Sequence, residues 1–208
     1  MKTVWKYSEK TEAERLVLTA HQISVGFYKN NNFIVLPYNP SIDKAHIVTF
    51  PDLKYTNITR FWEQSKKVDV YNKLIVDNQD LVKSVSNCIQ EAKLKKVNYE
   101  KIKKLWTKIQ DEVLNEIYNV LPSKKNAIKK IVIYPTAFGT NCSFSWIDGN
   151  GSILMYLRED QGIHSIAEAI ITSLTRVDIY EKLEGLWQES EIITDFLVTQ
   201  TSIAKVLQ

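Results

Sequence analysis

The sequence predicts an α+β fold in which a small, mostly antiparallel sheet packs with helices. Short apolar segments typical of strands lie between residues 131 and 157, and the turn residues Asp148-Gly-Asn-Gly151 divide them. The middle of the chain instead shows apolar residues at helical spacing among lysines. Strands grouped before helices, rather than alternating with them, are typical of α+β proteins.

The composition is that of a folded protein of one domain. Of its 208 residues, 44% are hydrophobic and 25% charged, an ordinary balance for a globular chain. The net charge of +3 is small, so we do not expect nucleic acid as the partner. No apolar run approaches the roughly 18 residues that span a bilayer. With no signal-peptide pattern and two distant cysteines, we expect a cytoplasmic protein without a disulfide.

Four elements are predicted in the first 76 residues. They are a helix over 11–24, a hairpin over 26–37, a strand over 45–50 and a helix that ends at 76. Thr11 and Glu14 form the predicted capping box of the first helix, and Thr56 or Asn57 caps the second.

Two lysine-rich helices are predicted in the middle of the chain, over 79–96 and 99–120. The apolar residues of the second recur every three or four positions, which indicates a stripe that faces the core. These residues are Ile102, Leu105, Trp106, Ile109, Val113, Ile117 and Val120. A soft boundary near residue 125 separates a mixed part, 1–125, from a second part, 126–208, and we do not expect these parts to be independent domains.

From residue 131 the pattern changes to the strands IVIYP, SFSWI and SILMYL, and the Asp-Gly and Asn-Gly dipeptides predict a hairpin between the last two. Three helices follow, over 165–175, 179–183 and 186–206. We expect Trp187, Phe196 and Leu197 to pack the last of these onto the sheet.

Residues 131–198 combine an apolar strand (ILMYLRED), a helix that opens near His164 (GIHSIAEAI) and a later acidic helix (WQESEIITDFLV). This order resembles the catalytic half of the zincin-like metallopeptidases. In that family a strand leads into an HExxH helix, whose two histidines bind Zn²⁺ and whose glutamate activates the metal-bound water. The resemblance implies a zincin-like fold with a groove beside the strand 153–157, which we expect to form the edge of the cleft.

Carried over by position, the resemblance places His164 at the first metal ligand and Glu168 where the family has its second histidine. Ser165 stands at the position of the general base. A serine hydroxyl does not ionise near neutral pH, and losing a positioned base typically costs about 10²–10⁴-fold in rate. The resemblance therefore implies a scaffold whose peptidase chemistry is degenerate.

A downstream acid completes the metal site in the gluzincin branch of this family, and Glu191 is its best match, with Glu189 as a register alternative. Asp195 lies one turn further and resembles a carboxylate that orients a ligating side chain. A set formed by His164, Glu168 and Glu191 would accept Mn²⁺ or Mg²⁺ about as well as Zn²⁺.

The same segment supports a purely structural interpretation. Ser165-Ile-Ala-Glu168 matches the capping box S-x-x-E, with Ser165 as N-cap and Glu168 returning to its backbone N–H. His164 would then precede the helix and would not share a face with Glu168.

Three functional hypotheses remain open. The first is a catalytically degenerate zincin-like protein, without a cofactor, that acts as a binding or regulatory module for a protein or peptide. The second is a divergent metal-dependent hydrolase that uses His164, Glu168 and Glu191. The third is an α+β interaction domain unrelated to zincins, whose partner surface is the lysine-rich pair of helices over 79–96 and 99–120.

Overall fold

The computed structural model describes residues 2–37, 47–55, 57–69, 74–94 and 96–208. Its strands are β1 (Lys2–Trp5), β2 (Ile34–Pro37), β3 (Ile47–Phe50), β4 (Lys130–Thr136), β5 (Cys142–Phe144) and β6 (Ser152–Arg158). Its helices are α1 (Glu9–Ser24), α2 (Phe27–Asn30), α3 (Ile58–Lys66), α4 (Gln79–Glu91), α5 (Glu100–Val120), α6 (Ile163–Val177), α7 (Trp187–Gln200) and α8 (Ile203–Val206). A 3₁₀ turn (Pro122–Lys124) and a π-helical segment (Asp178–Lys182) complete them. The prediction of a mixed α and β protein is confirmed.

The main sheet has the strand order β1-β4-β6-β5 and is mostly parallel, so the prediction of a mostly antiparallel sheet is wrong. β1 pairs parallel to β4, and β4 pairs parallel to β6. Only β5 is antiparallel, and it forms the predicted hairpin with β6. β4 and β5 are consecutive in the sequence, but β6 lies between them in the sheet. Since β1 comes from the first part of the chain, the sheet takes strands from both sides of residue 125.

Helices cover both faces of this sheet. Alternate strand residues such as Ile133 and Met155 face a core completed by α5, α6, α7 and α8. On the opposite face, Tyr134 and Tyr156 meet a second core built with α1, α3 and α4. The sheet is therefore a middle layer, and its outer edge at β5 lies beside the layer that contains α6.

The first helix is confirmed, but its cap lies three residues earlier than predicted. Ser8 is extended and its Oγ accepts from Thr11 N at 3.1 Å, while Thr11 Oγ1 accepts from Ser8 N at 3.0 Å. Thr11 is thus the returning member of the capping box. Glu14, predicted for that role, instead accepts a hydrogen bond from Tyr156 Oη at 3.3 Å.

The predicted hairpin over 26–37 is wrong. Its first half forms the short helix α2, entered through Gly26 at φ +76°, and its second half is β2, which pairs parallel to β3. A local turn signal was overridden by pairing with a more distant strand.

The strand predicted over 45–50 is present from Ile47, and residues 45 and 46 lie outside the described part. Of the two predicted caps of the next helix, Thr56 lies outside the described residues. The other, Asn57, caps α3 by accepting from Arg60 N at 2.9 Å. This helix ends at Lys66 instead of 76.

The two lysine-rich helices are present as α4 and α5. Asn78 caps α4, which ends at Glu91 rather than at 96, close to the left-handed residue Lys93 at φ +51°. On α5 the apolar stripe faces the core as predicted, with Trp106 completely buried. Leu105 is the exception, with 42% of its surface exposed. Among the described helices, none has the length and apolar character needed to cross a membrane.

Candidate functional site

His164 and Glu168 lie on one face of α6. The helix begins at Ile163, directly after the extended residue Gly162, and His164 is therefore its second residue. Residues four apart in a helix are neighbours on its surface. The side chain of His164 is exposed and that of Glu168 is half-buried.

The capping interpretation of this segment is wrong. Ser165 is the third residue of α6 rather than its N-cap, and Gly162 takes the cap position without a side-chain hydrogen bond. Ser165 is 7% exposed and its Oγ donates to Gln161 Oε1 at 3.0 Å. The helix starts two residues earlier than predicted, and this earlier start brings His164 onto the face of Glu168.

α7 packs against α6 and brings two more carboxylates to this face. A hydrogen bond of 2.9 Å joins the buried hydroxyls of Thr172 on α6 and Thr194 on α7. On either side of Thr194 lie Glu191, which is half-buried, and Asp195, which is exposed. On α6 the corresponding row recurs every fourth residue and consists of His164, Glu168, Thr172 and Arg176.

The carboxylates along this row interact electrostatically. Desolvation raises the pKa of Glu168, the negative charge of Asp195 raises it further, and His164 lowers it. Desolvation also raises the pKa of Glu191, Arg176 lowers it, and Asp195 and Glu168 raise it. The two helices thus hold three carboxylates and only one permanent cation close together, and we name Glu168, Glu191 and Asp195 the acidic cluster.

Other predicted residues of α7 lie elsewhere. Glu189 is exposed and its carboxylate accepts from Leu186 N at 2.7 Å, so it caps the start of α7 instead of joining the acidic cluster. Of the residues expected to pack the helix, Leu197 is buried, but Phe196 is 57% exposed. The outer surface of α7 therefore carries an aromatic side chain that was predicted to be internal.

The predicted metal ligands do not form a metal site in this geometry. Within the described ranges, no group of three His, Cys, Asp or Glu side chains is arranged to hold a metal ion. His164 and Glu168 share a face, and the charge of Glu168 raises the pKa of Glu191, but the three donors do not converge.

The strand predicted to form the edge of the groove is an interior strand. β6 contains residues 153–157 and is hydrogen-bonded on both sides, to β4 and to β5. A peptide cannot add to it. The open edge beside α6 belongs to β5, the outermost strand of the described sheet.

The hydrogen-bond alternation of β5 shows which main-chain groups are available. Asn141 O accepts from β6 at 3.0 Å and Ser145 N donates to β6 at 2.9 Å. In an antiparallel pair, residues whose main-chain groups bond to the neighbouring strand alternate with residues whose main-chain groups point away from it. Ser143, between Asn141 and Ser145, therefore also bonds to β6, while the N–H and C=O groups of Cys142 and Phe144 point outward. Cys142 O accepts a hydrogen bond of 3.4 Å from the side chain of Thr140, through its Oγ1. The outward N–H and C=O groups of Cys142 and Phe144 have no main-chain partner among the described residues.

The side chains of Cys142 and Phe144 face α6 and pack against the core that its residues help to form. The guanidinium of Arg176 lies 5.0 Å from the ring centre of Phe144 and 5.6 Å from that of Tyr180. Burial raises the pKa of the Cys142 thiol to about 12, Arg15 lowers it, and the charge of Glu168 raises it. The charge of Glu168 on α6 therefore acts on the side chain of Cys142 on β5.

Sequence reasoning missed Arg176 and the edge at β5. Arg176 could have been found by extending the four-residue spacing from His164 through Glu168, because the predicted helix ended one residue short of it. The outward groups of β5 have no comparable signal, since they depend on which strand becomes its neighbour.

A buried arginine holds the loop that leads into β5. Arg15 is completely buried, and its Nε donates to Phe138 O and its Nη2 to Thr140 Oγ1, each at 3.2 Å. Gly139 lies between these two acceptors at φ +84°. The backbone runs so close to the guanidinium that a Cβ at Gly139 would overlap it.

A second buried arginine, Arg158 at the end of β6, forms hydrogen bonds with the same loop. Arg158 Nη1 donates to Gly139 O at 3.0 Å and to Ile47 O at 2.8 Å, and Nη2 donates to Asn141 Oδ1 at 2.8 Å. Its Nε and Nη2 also bind both carboxylate oxygens of Asp160, at 2.7 and 3.2 Å. Bidentate pairs of this kind fix geometry well, so Arg158 sets the position of the open edge.

Glu12 anchors the start of this loop from α1. It is 3% exposed, and its carboxylate accepts from Thr136 Oγ1 at 2.5 Å and from Ala137 N at 3.1 Å. Desolvation raises its pKa to about 7, Thr136 and Ala137 lower it, Glu159 raises it and Arg15 lowers it. The native protein therefore binds this proton more tightly than the unfolded chain does.

We expect the Glu12→Gln variant to lose part of the pH dependence of stability. Because the folded pKa is raised, the stabilisation is complete below about pH 4.5 and disappears as the pH rises to about 7. Relative to the variant, the free energy of unfolding of the wild type should fall by roughly 3 kcal/mol across this range. Urea unfolding at several pH values measures this difference in the free energy of unfolding. If the free energy of unfolding depends on pH in the same way in both proteins, the raised pKa of Glu12 is contradicted.

Comparison of the chain with protein-family models, with curated proteins and with solved structures gives no match.

Proposed function

We propose that this protein is a catalytically degenerate zincin-like module that binds an extended segment of a protein or peptide in the groove between β5 and α6. The observation that carries the proposal is the edge of β5 that no described strand covers, where Cys142 and Phe144 direct main-chain groups outward beside the helix of His164. Exposed strand edges bind peptides by adding a strand, in which main-chain hydrogen bonds supply affinity and side-chain pockets supply specificity.

The arrangement of elements supports the zincin-like part of the proposal. β6 leads directly into α6, which carries His164 in its first turn, and α7 returns along α6 with Glu191. This is the strand–helix–helix order on which the resemblance rests. Ser165 replaces the general base and its hydroxyl is already bonded to Gln161, which supports binding without hydrolysis.

A metal-dependent hydrolase is the second candidate, because His164 and Glu168 share a helix face and Glu191 lies nearby. For this candidate, the three donors would have to come within roughly 2.0–2.2 Å of one ion. Such a movement would also need another group to take the role of the general base.

Metal content distinguishes the two candidates. The purified protein is incubated with Zn²⁺ or Mn²⁺, desalted and analysed by mass spectrometry beside His164→Ala and, as control, His21→Gln, whose ring contacts Ser65 O on the other face of the sheet. We expect no stoichiometric metal in any of the three proteins, no cleavage of unfolded casein, and retained binding of casein. One equivalent of metal that His164→Ala alone loses, together with cleavage by the wild type, would overturn the binding proposal.

A further inference from the structure

We infer that the strand that adds to β5 carries a lysine or arginine opposite Cys142, and that Glu168 and Asp195 receive its charge. This inference rests on the proposed function of the groove and names the chemical class of its partner. The described structure places the acidic cluster on the side of the sheet edge to which such a residue would point.

The direction of the partner's side chain follows from strand geometry. A strand added at the edge would lie about 4.8 Å from β5, and the residue paired with Cys142 would exchange main-chain hydrogen bonds with it. Directly opposed residues place their side chains on the same face of a sheet. Cys142 faces α6, so the opposed side chain also points toward α6. There Arg176, in the same row as Glu168, packs over Phe144 of β5, and the charge of Glu168 acts on Cys142.

The charge of the groove selects a cation for this position. The negative charge of Asp195 disfavours the ionised form of Glu168, and the charges of Asp195 and Glu168 disfavour that of Glu191. Arg176 is the permanent cation of the row, and it is packed over the rings of Phe144 and Tyr180. A basic side chain from a partner would relieve the repulsion near Glu168, whereas an acidic one would increase it.

A basic side chain fits these carboxylates better than a bound metal does. A metal ion requires several donors at nearly fixed distances, and the described donors do not provide them. A lysine on an extended strand is a flexible cation with three donors, and arginine has a planar fork of five. Either can bridge carboxylates that do not converge on one point.

Four pools of fluorescein-labelled nonapeptides provide the test. The central residue is fixed as Lys, Arg, Gln or Glu, and the flanking positions are mixtures of Val, Thr, Ile and Tyr, which favour extended structure. Fluorescence polarisation with the full chain measures apparent affinity. We expect the Lys and Arg pools to bind about tenfold more tightly than the Gln pool, a difference of one decade in Kd, and the Glu pool to bind most weakly.

A charge-neutralised variant and a matched control locate the effect. Glu168→Gln, Glu191→Gln and Asp195→Asn together should remove the preference for the Lys and Arg pools over the Gln pool. The control combines Glu63→Gln, Asp80→Asn and Glu91→Gln, which remove three exposed carboxylates from α3 and α4 on the opposite face of the sheet. This control should keep the full preference.

The outcomes separate this inference from the proposed function. If the wild type binds all four pools equally, the groove accepts extended peptides but the inferred basic partner is wrong. If both triple variants lose the preference alike, the effect is one of overall charge and the inference is again overturned. If no pool binds, the proposed function itself fails.

Discussion

Replacing Gly139 with alanine should lower the free energy of unfolding by about 3 kcal/mol or more, because the substitution forces a left-handed residue and displaces a buried guanidinium. Gly139 has φ +84°, and the added Cβ would overlap Arg15, whose side chain is completely buried. Arg15 would have to give up its hydrogen bonds to Phe138 O and Thr140 Oγ1. The loop into β5 would therefore lose its anchor, and peptide binding should weaken as well.

Gly149→Ala is the matched control for this prediction. Gly149 lies in the turn between β5 and β6, and a Cβ there meets no atom within 4 Å. We expect its unfolding midpoint in urea to stay close to that of the wild type. Equal midpoints for Gly139→Ala and Gly149→Ala would contradict the close packing of the Arg15 guanidinium against Gly139.

Replacing Arg158 with methionine should cost about 3–5 kcal/mol of stability, the range observed when one partner of a buried charged network is removed. The side chain of Arg158 is completely buried. Methionine has similar length but cannot donate to Ile47 O, Gly139 O or Asn141 Oδ1, which would lose these donors. Thermal and urea unfolding both measure the loss.

Asp160→Asn separates the ion pair from the hydrogen bonds to the loop. Asparagine keeps an oxygen that can accept from Arg158, and the lost carboxylate is 28% exposed, so water can replace part of its interaction with the buried guanidinium. We therefore expect this variant to be clearly more stable than Arg158→Met. If Arg158→Met unfolds at the same urea concentration as Asp160→Asn, the contacts of Arg158 with the loop contribute little.

The helices could be predicted from sequence more reliably than the sheet. The stripe of α5, centred on Trp106, is a local pattern of apolar residues, and its helix has the predicted bounds within one residue. The sheet depends on pairing between distant segments. β1 is the four-residue segment KTVW, 125 or more residues before its partner β4, and no periodicity in so short a segment indicates a parallel strand.

The candidate site shows the same division between local and distant information. The resemblance to zincin-like proteins led to His164, Glu168, Glu191 and Asp195, and the structure brings all four to adjacent faces of α6 and α7. The capping interpretation failed because α6 begins two residues earlier than predicted, which makes Gly162 the cap instead of Ser165. β6 was wrongly predicted as the edge strand because the order of β6 and β5 in the sheet is a property of the whole fold.

Amide hydrogen exchange of β5, resolved by residue with NMR, tests the central claim most directly. In the free protein the N–H groups of Cys142 and Phe144 point away from β6 and should exchange faster than that of Ser143, which is bonded to β6. Addition of the Lys pool should slow exchange at Cys142 and Phe144 and leave Ser143 unchanged. Saturating peptide that leaves the exchange rates of Cys142 and Phe144 unaltered would contradict strand addition at this edge.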